Sequence, residues 1–338
     1  MNKAKLGIIS VIGSGYELVI RAFWIILIPV ALDFYFWAGP RLSVQPLFDR
    51  LIMLMASATD LEPSFQQNFD DVRRTLSELG AHLNLFSLLV TDFLGLRILH
   101  VPSLKAFELP SDTPSAALTS AMTVIALDSG PRAALMGGAL LALGLLIGAV
   151  YLTLIGDRLR AERDSRAFAG RVLIYWLRLG LFVGIVGAAY LILSLPFFVV
   201  LGVAAFINSG LALLVMLAGW TLSFWALFYM WFVAYALVMG NIGVRRAIWN
   251  SANVVQRNLL ATFGLILISN IISLGMLLLW QTLESTAAGS VVAIAGNAFI
   301  GSGLVAAAMV FYQDRYRAWQ ESAASDQARM SALRRFVR

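Results

Sequence analysis

Apolar residues run along this chain in blocks too long for a soluble core. Stretches near the roughly 20 residues that carry a helix across about 30 Å of hydrocarbon occur at 18–39, 132–155, 172–204, 210–239, 259–282 and 290–312. The pattern predicts an all-α, polytopic membrane protein with six transmembrane helices. A further block, "NLFSLLVTDFLGLRILHV" over 84–101, contains Asp92 and Arg97. Each would cost about 2.5–3.5 kcal/mol near a helix centre, so the block is placed at the outer interface. Pro196 in the third span removes a backbone donor and favours a kink. The start "MNKAKLGIISVIGSG" is basic and then apolar with no small-residue cleavage pattern after it, and reads as an uncleaved membrane start.

Between the first two spans the chain changes character. The segment 40–131 is acidic and contains "PSFQQNFDDVRRTLSELG", where Phe65, Phe69, Val72, Leu76 and Leu79 recur at helical spacing and Arg74 and Glu78 sit on the other side. An amphipathic helix is predicted from Pro63 to a stop at Gly80. Pro102, Pro110 and Pro114 mark irregular chain beyond it. The expectation is an inserted cap of amphipathic helices on the outer leaflet, a surface that also suits docking of a membrane or envelope protein partner.

Charge orients the spans. The segment 156–171 holds Arg158, Arg160, Arg163, Arg166 and Arg171, and 240–258 holds Arg245, Arg246 and Arg257 with no acid. The tail 313–338 is again rich in arginine. These three segments and the N-terminal residues 1–17 are expected in the cytoplasm, with both termini on the inner side of a plasma (inner) membrane. Composition agrees, because 60% of the residues are hydrophobic and 13% charged, against about 25% charged in soluble domains. The net charge of +6 is then a positive-inside signal and not a sign of nucleic-acid binding.

Several chemistries are excluded by residue supply. There is no cysteine, the histidines are His82 and His100 in the outer segment, and lysine occurs only at Lys3, Lys5 and Lys105. No disulfide, thiolate centre, haem ligand within a span, zinc-protease motif or P-loop can be built from these. Glu78 and His82, four apart, are too few for a metal site. No cofactor is expected.

The starts of the odd-numbered spans resemble one another. "YELVIRAFWIILIPV" (16–30), "LIYWLRLGLFVGIVG" (173–187) and "NVVQRNLLATFGLIL" (253–267) each place one arginine, Arg21, Arg178 and Arg257, at a cytoplasmic mouth. The chain reads as three helical hairpins with the cap inserted in the first; the alternative is that each inward-starting helix simply carries a snorkelling arginine. Guanidinium groups at an inner leaflet suit phosphate oxygens. Arg21, Arg178 and Arg257, with Arg245 and Arg246, are therefore candidate ligands for an anionic phospholipid headgroup.

The stretch "GVRRAIWNSANVVQRNLLATFGLILISNII" (243–272), a basic amphipathic lead-in feeding a span through an Arg-Asn pair, resembles the repeated element of the six-span bacterial family typified by YciC-like proteins. It also resembles the membrane domain attached to some glycerophosphodiester phosphodiesterases. The likeness covers about the second half of the chain. It implies a helical membrane domain with no assigned chemistry of its own and a link to envelope lipids. The catalytic barrel of the phosphodiesterases has no counterpart in the sequence, and the long outer segment departs from the family pattern.

Within the spans, Asp33 stands out. It lies about 9 Å below the end of its span at Pro40, with Arg41 close to two turns above it. It either anchors the cap, through Arg41 or through backbone groups, or serves as a proton or cation site. Asn270 and Asn297 lie near mid-membrane, where they bond across helices or line a narrow path. Phe228 to Phe232 are packing residues or the wall of a pocket for a flat ligand, and Gly144, Gly148, Gly180, Gly184 and Ala188 offer small faces for helix packing. Two functions follow: an accessory, lipid-interacting envelope component without catalysis, or a small-solute or ion permease using Asp33, Asn270 and Asn297. An enzyme acting on lipid would need a nucleophile or an acid/base cluster at the mouths, which the sequence does not offer.

The charge asymmetry makes a topology prediction. Reporter fusions after Arg171, after Gly240 and at the C-terminus should report cytoplasm, and fusions near Gly80 or Asn208 the outside. A C-terminal fusion reporting the outside refutes the six-span reading.

Overall fold

The computed structural model describes residues 5–58, 63–90, 101–104, 123–160 and 167–336. Among these residues the fold is all-α apart from one pair of three-residue strands. Five helices are long and apolar enough to cross a membrane: Gly130–Leu159, Phe168–Ile207, Ser209–Gly240, Leu259–Leu283 and Ala287–Ser325. The pair Ile8–Arg21 and Phe23–Ala38, bent by 93°, adds a sixth if it is one span. The chain is thus a multi-pass membrane protein, and the stretches expected as its second to sixth spans lie within those five helices.

The first span differs from the expected continuous helix over 18–39. Helix α1 (Ile8–Arg21) takes in residues expected in an N-terminal tail, and a 3-10 turn (Phe23–Ile26) redirects the chain into α2 (Leu27–Ala38). Pro29 supplies the reason. In the first turn of α2 its missing N–H needs no partner, whereas in an uninterrupted helix its ring would strike the carbonyl one turn earlier.

The cap follows as β1 (Arg41–Ser43), α3 (Gln45–Ala58), α4 (Pro63–His82), a 3-10 turn (Leu85–Leu89) and β2 (Val124–Ala126). The strands pair in parallel, Arg41 opposite Val124 and Ser43 opposite Ala126. The inserted segment therefore leaves and re-enters the bundle at one place. The predicted helix at 63–80 is α4; it runs on to His82, and Gly80 instead admits Phe48 of α3, whose Cβ would lie 3.0 Å from an added methyl.

The rest of the chain is α5 (Gly130–Leu159), α6 (Phe168–Ile207), α7 (Ser209–Tyr229), α8 (Val233–Gly240), α9 (Val244–Arg257), α10 (Leu259–Leu283) and α11 (Ala287–Phe336). Helix α6 continues through Pro196. Most of the expected loop 240–258 is α9, and the expected basic tail continues α11 as far as Phe336. Here Tyr312 stacks on Tyr316, with ring centroids 5.6 Å apart, and Arg315 reaches back to the Leu6 carbonyl.

Contacts between helices close on themselves. Helix α6 packs on α5, α9 on α8, and α1, early in the sequence, on α11 near its end. The last of these contacts is the closest. A Cβ added to Gly15 would lie 2.5 Å from both Ala307 N and Gly303 O, and one added to Gly303 would lie 2.3 Å from the Tyr16 ring. The buried face of α1 is Val11, Gly15 and Val19, at four-residue spacing.

The aromatic block divides by depth. Trp220 and Phe224 are exposed, whereas Phe232 is fully buried and stacks on Phe311 at 5.6 Å, so its ring is packed against side chains. The small residues divide too. Gly144 and Gly148 are buried, but nothing lies within 4 Å of a Cβ placed on Gly180 or Gly184.

The crossing of α1 and α11 gives a stability prediction. Gly15→Ala should lower the thermal unfolding midpoint of the detergent-solubilised protein, at a cost of about 1–3 kcal/mol for overpacking. Gly13→Ala, with nothing within 4 Å, should raise it slightly through helix propensity. Equal midpoints for the two variants would disprove the close crossing.

Candidate functional site

The carboxyl group of Asp33 is fully buried, on the face of α2 that also buries Pro29 and Phe36. It accepts the Leu104 amide at 3.0 Å on Oδ1 and 2.9 Å on Oδ2, and the Ser103 hydroxyl donates to Oδ1. Arg41 is employed elsewhere: its amide donates to the Thr123 carbonyl at 3.1 Å in the strand pair, and among the described residues its side chain makes no ion pair with Asp33.

The segment that Asp33 holds lies inside the bundle. The stretch 84–101, expected at the interface, has Leu89, Val90 and Val101 buried. The carbonyls of Leu88 and Leu89 would lie 2.8 Å from a Cβ on Gly144, near the middle of α5. Pro102 rests on Gly301 of α11, 2.2 Å from where a Cβ would be, and Leu104 clusters with Trp280 and Ala293. Two glycines thus make room for residues 88–89 and 102, and Asn84 accepts the amides of Leu42 and Phe86 at 3.1 and 3.2 Å. Asp92, Arg97, His100, Lys105, Pro110 and Pro114 lie outside the described residues. Gly144, read as a helix-packing residue, serves this turn.

Asn270 and Asn297 are half-buried and make no hydrogen bond with the described residues. Cross-helix bonds come from other residues, Tyr151 of α5 donating to Ser302 of α11 at 2.9 Å and Trp176 of α6 to the Ala142 carbonyl of α5 at 2.8 Å.

At the other end of the helices lies a basic face. Arg160 donates to the Tyr175 hydroxyl at 2.8 Å and to the Val238 carbonyl, and Asp157 pairs with both Arg160 and Arg171. Arg178 donates to Asn241 at 3.0 Å, Lys5 to Asn258 at 2.9 Å, and Arg315 to the Leu6 carbonyl at 2.8 Å. Asn241 is the one non-glycine residue with positive φ, 46°, among the described residues, a conformation asparagine tolerates. The sequence reading did not single out Asp157, Arg160 or Tyr175.

The five candidate headgroup ligands have separate surroundings. Arg21 pairs with Glu17 in solvent, Arg178 holds Asn241, and Arg257 lies over Trp319 at 5.5 Å. Arg245 and Arg246 are exposed and line a groove of about 910 Å3 between α9 and α6, whose walls include Leu181, Ile185, Ile248 and Trp249. A smaller cavity of about 400 Å3 lies between α8 and α11, bordered by Arg160, Tyr312, Tyr316 and Arg317. No family model, curated protein or solved structure matches the chain.

The Asp33 anchor is testable because the chain has no cysteine. A single cysteine placed by Leu104→Cys should react slowly with a maleimide. Adding Asp33→Leu strips two hydrogen bonds, each worth about 1 kcal/mol, and should speed labelling at least tenfold, whereas Asp33→Asn should change it less. Equal rates in Asp33 and Asp33→Leu backgrounds would show that the segment is held by something else.

Proposed function

We propose that the protein is a non-enzymatic, lipid-interacting component of a plasma (inner) membrane, with both termini in the cytoplasm and its working surface on the basic face. The observation that carries this reading is a pair of amphipathic helices, α1 and α9. Each has 14 residues, follows an extended glycine cap (Gly7 or Gly243) and ends in an arginine. Each then turns at a similar angle pair, φ −130° and ψ 51° at Ala22, φ −138° and ψ 38° at Asn258, into an apolar helix. Helices of this kind lie in the plane of the headgroups. The resemblance of residues 243–272 to lipid-linked six-span proteins points the same way.

The permease reading would use Asp33, Asn270 and Asn297. Asp33 accepts hydrogen bonds from Ser103 and Leu104, a role in holding chain, and among the described residues no hydrogen bond links it to the two asparagines. On the opposite face, α3 turns Leu51, Met53 and Leu54 outward, which suits the outer leaflet or an envelope partner at the 40–131 cap.

Lipid extracted from the purified protein should be enriched in anionic phospholipid relative to the membrane of the expression host. Unchanged lipid composition would refute the reading. A proton or cation flux in proteoliposomes that disappears on Asp33→Asn would put the permease in its place.

A further inference from the structure

The two lead-in helices share a fold but not a surface. In register from Gly7 and Gly243, Val11 matches Ala247, Gly15 matches Ser251 and Val19 matches Val255, and all six are buried. The same register sets Ile9 against Arg245, Ser10 against Arg246 and Gly13 against Trp249. Packing fixes the first set and is indifferent to the second. The tandem arginines and the tryptophan, 66% exposed, are therefore not required by the helix that bears them.

What they border is a groove. Its volume of about 910 Å3 lies in the range of ~300–1,000 Å3 occupied by ligand sites. Its floor and walls are apolar, and the charged residues lining it are Arg245 and Arg246, neither of which has an acidic partner among the described residues. The matching positions on α1, Ile9, Ser10 and Gly13, are exposed too but carry no charge and no aromatic ring.

We propose that the α6–α9 groove holds one anionic phospholipid, its phosphate on Arg245 and Arg246 and an acyl chain along Leu181, Ile185, Ile248 and Trp249. This rests on the lipid-interacting reading and assigns it a place. A guanidinium pair at the mouth gives forked donors to phosphate oxygens, and each basic residue adds attraction to an anionic headgroup. The apolar channel behind it takes the chain that a soluble phosphate lacks.

The test uses the full chain in detergent and in nanodiscs, with phosphatidylglycerol and phosphatidylcholine as probes, read by native mass spectrometry. Wild type should retain phosphatidylglycerol in preference to phosphatidylcholine. The double variant Arg245→Gln, Arg246→Gln, on an exposed face, should weaken phosphatidylglycerol roughly thirtyfold, and Ala252→Phe, at a small residue lining the groove, should lower occupancy with the arginines intact. Arg132→Gln, at the cap-side start of α5, should leave binding unchanged. If wild type and the arginine double variant bind phosphatidylglycerol equally, the groove is not the site, although the protein is still lipid-binding. If wild type retains no phosphatidylglycerol, both the site and the lipid-interacting reading fail.

Discussion

Backbone groups that lose their helical partners inside an apolar bundle must find new ones, because no water is there to take them. Two places in this protein depend on that constraint. Between α7 and α8 the helix breaks at Met230–Phe232, and Ser251 of α9 repairs it, accepting the Phe232 amide at 3.1 Å and donating to the Tyr229 carbonyl at 2.8 Å. At residues 103–104 the chain is not helical at all, and Asp33 takes its amide. Each repair is made by a side chain from another element, so each also fixes where that element sits. An unpaired buried group would cost about 1–3 kcal/mol, enough to make these contacts determinants of the fold.

The same logic explains why one end of the bundle is closed and the other chemically available. On the cap side, β1 and β2 tie the insertion at its neck, Leu88 and Leu89 press on α5 at Gly144, and Pro102 presses on α11 at Gly301. On the basic face, Asp157, Arg160 and Arg171 join the end of α5 to the start of α6, and Arg160 adds the end of α8. Among the described residues, Arg160, Arg171, Arg178 and Arg315 each join different elements, whereas Arg245 and Arg246 are exposed and make no ion pair.

Long apolar helices were legible from block length alone, and so was the amphipathic α4, because its periodicity is local. The break at Ala22 was also written in the chain, in Pro29, but a hydropathy window averages over a proline and reads 18–39 as one span. The close contacts of residues 88–89 and 102 with the bundle were hidden for a different reason: such contacts give no periodic pattern of their own, and their signal is the glycine on the receiving helix, Gly144 or Gly301. Asp33 was visible as an anomaly, but its hydrogen bonds from Ser103 and Leu104 depend on residues 70 and 71 positions away that no local pattern marks. Asp157 and Arg160 were counted as topogenic charges, since pairing between helix ends is set by tertiary position.

The repeat is the last step. Arg21 and Arg257 end helices of equal length with equal caps, which a snorkelling requirement alone does not demand. Arg178 differs, lying within the continuous helix α6 and held by Asn241, so the likeness is closest between the first and third elements. Where two helices share length, caps and buried face, the fold has used those positions up, and only the outward positions are free to diverge. They diverge from Ile9 and Ser10 to Arg245 and Arg246, the pair that borders the groove between α9 and α6. Difference between such helices, more than likeness, is what singles out the surface proposed for lipid.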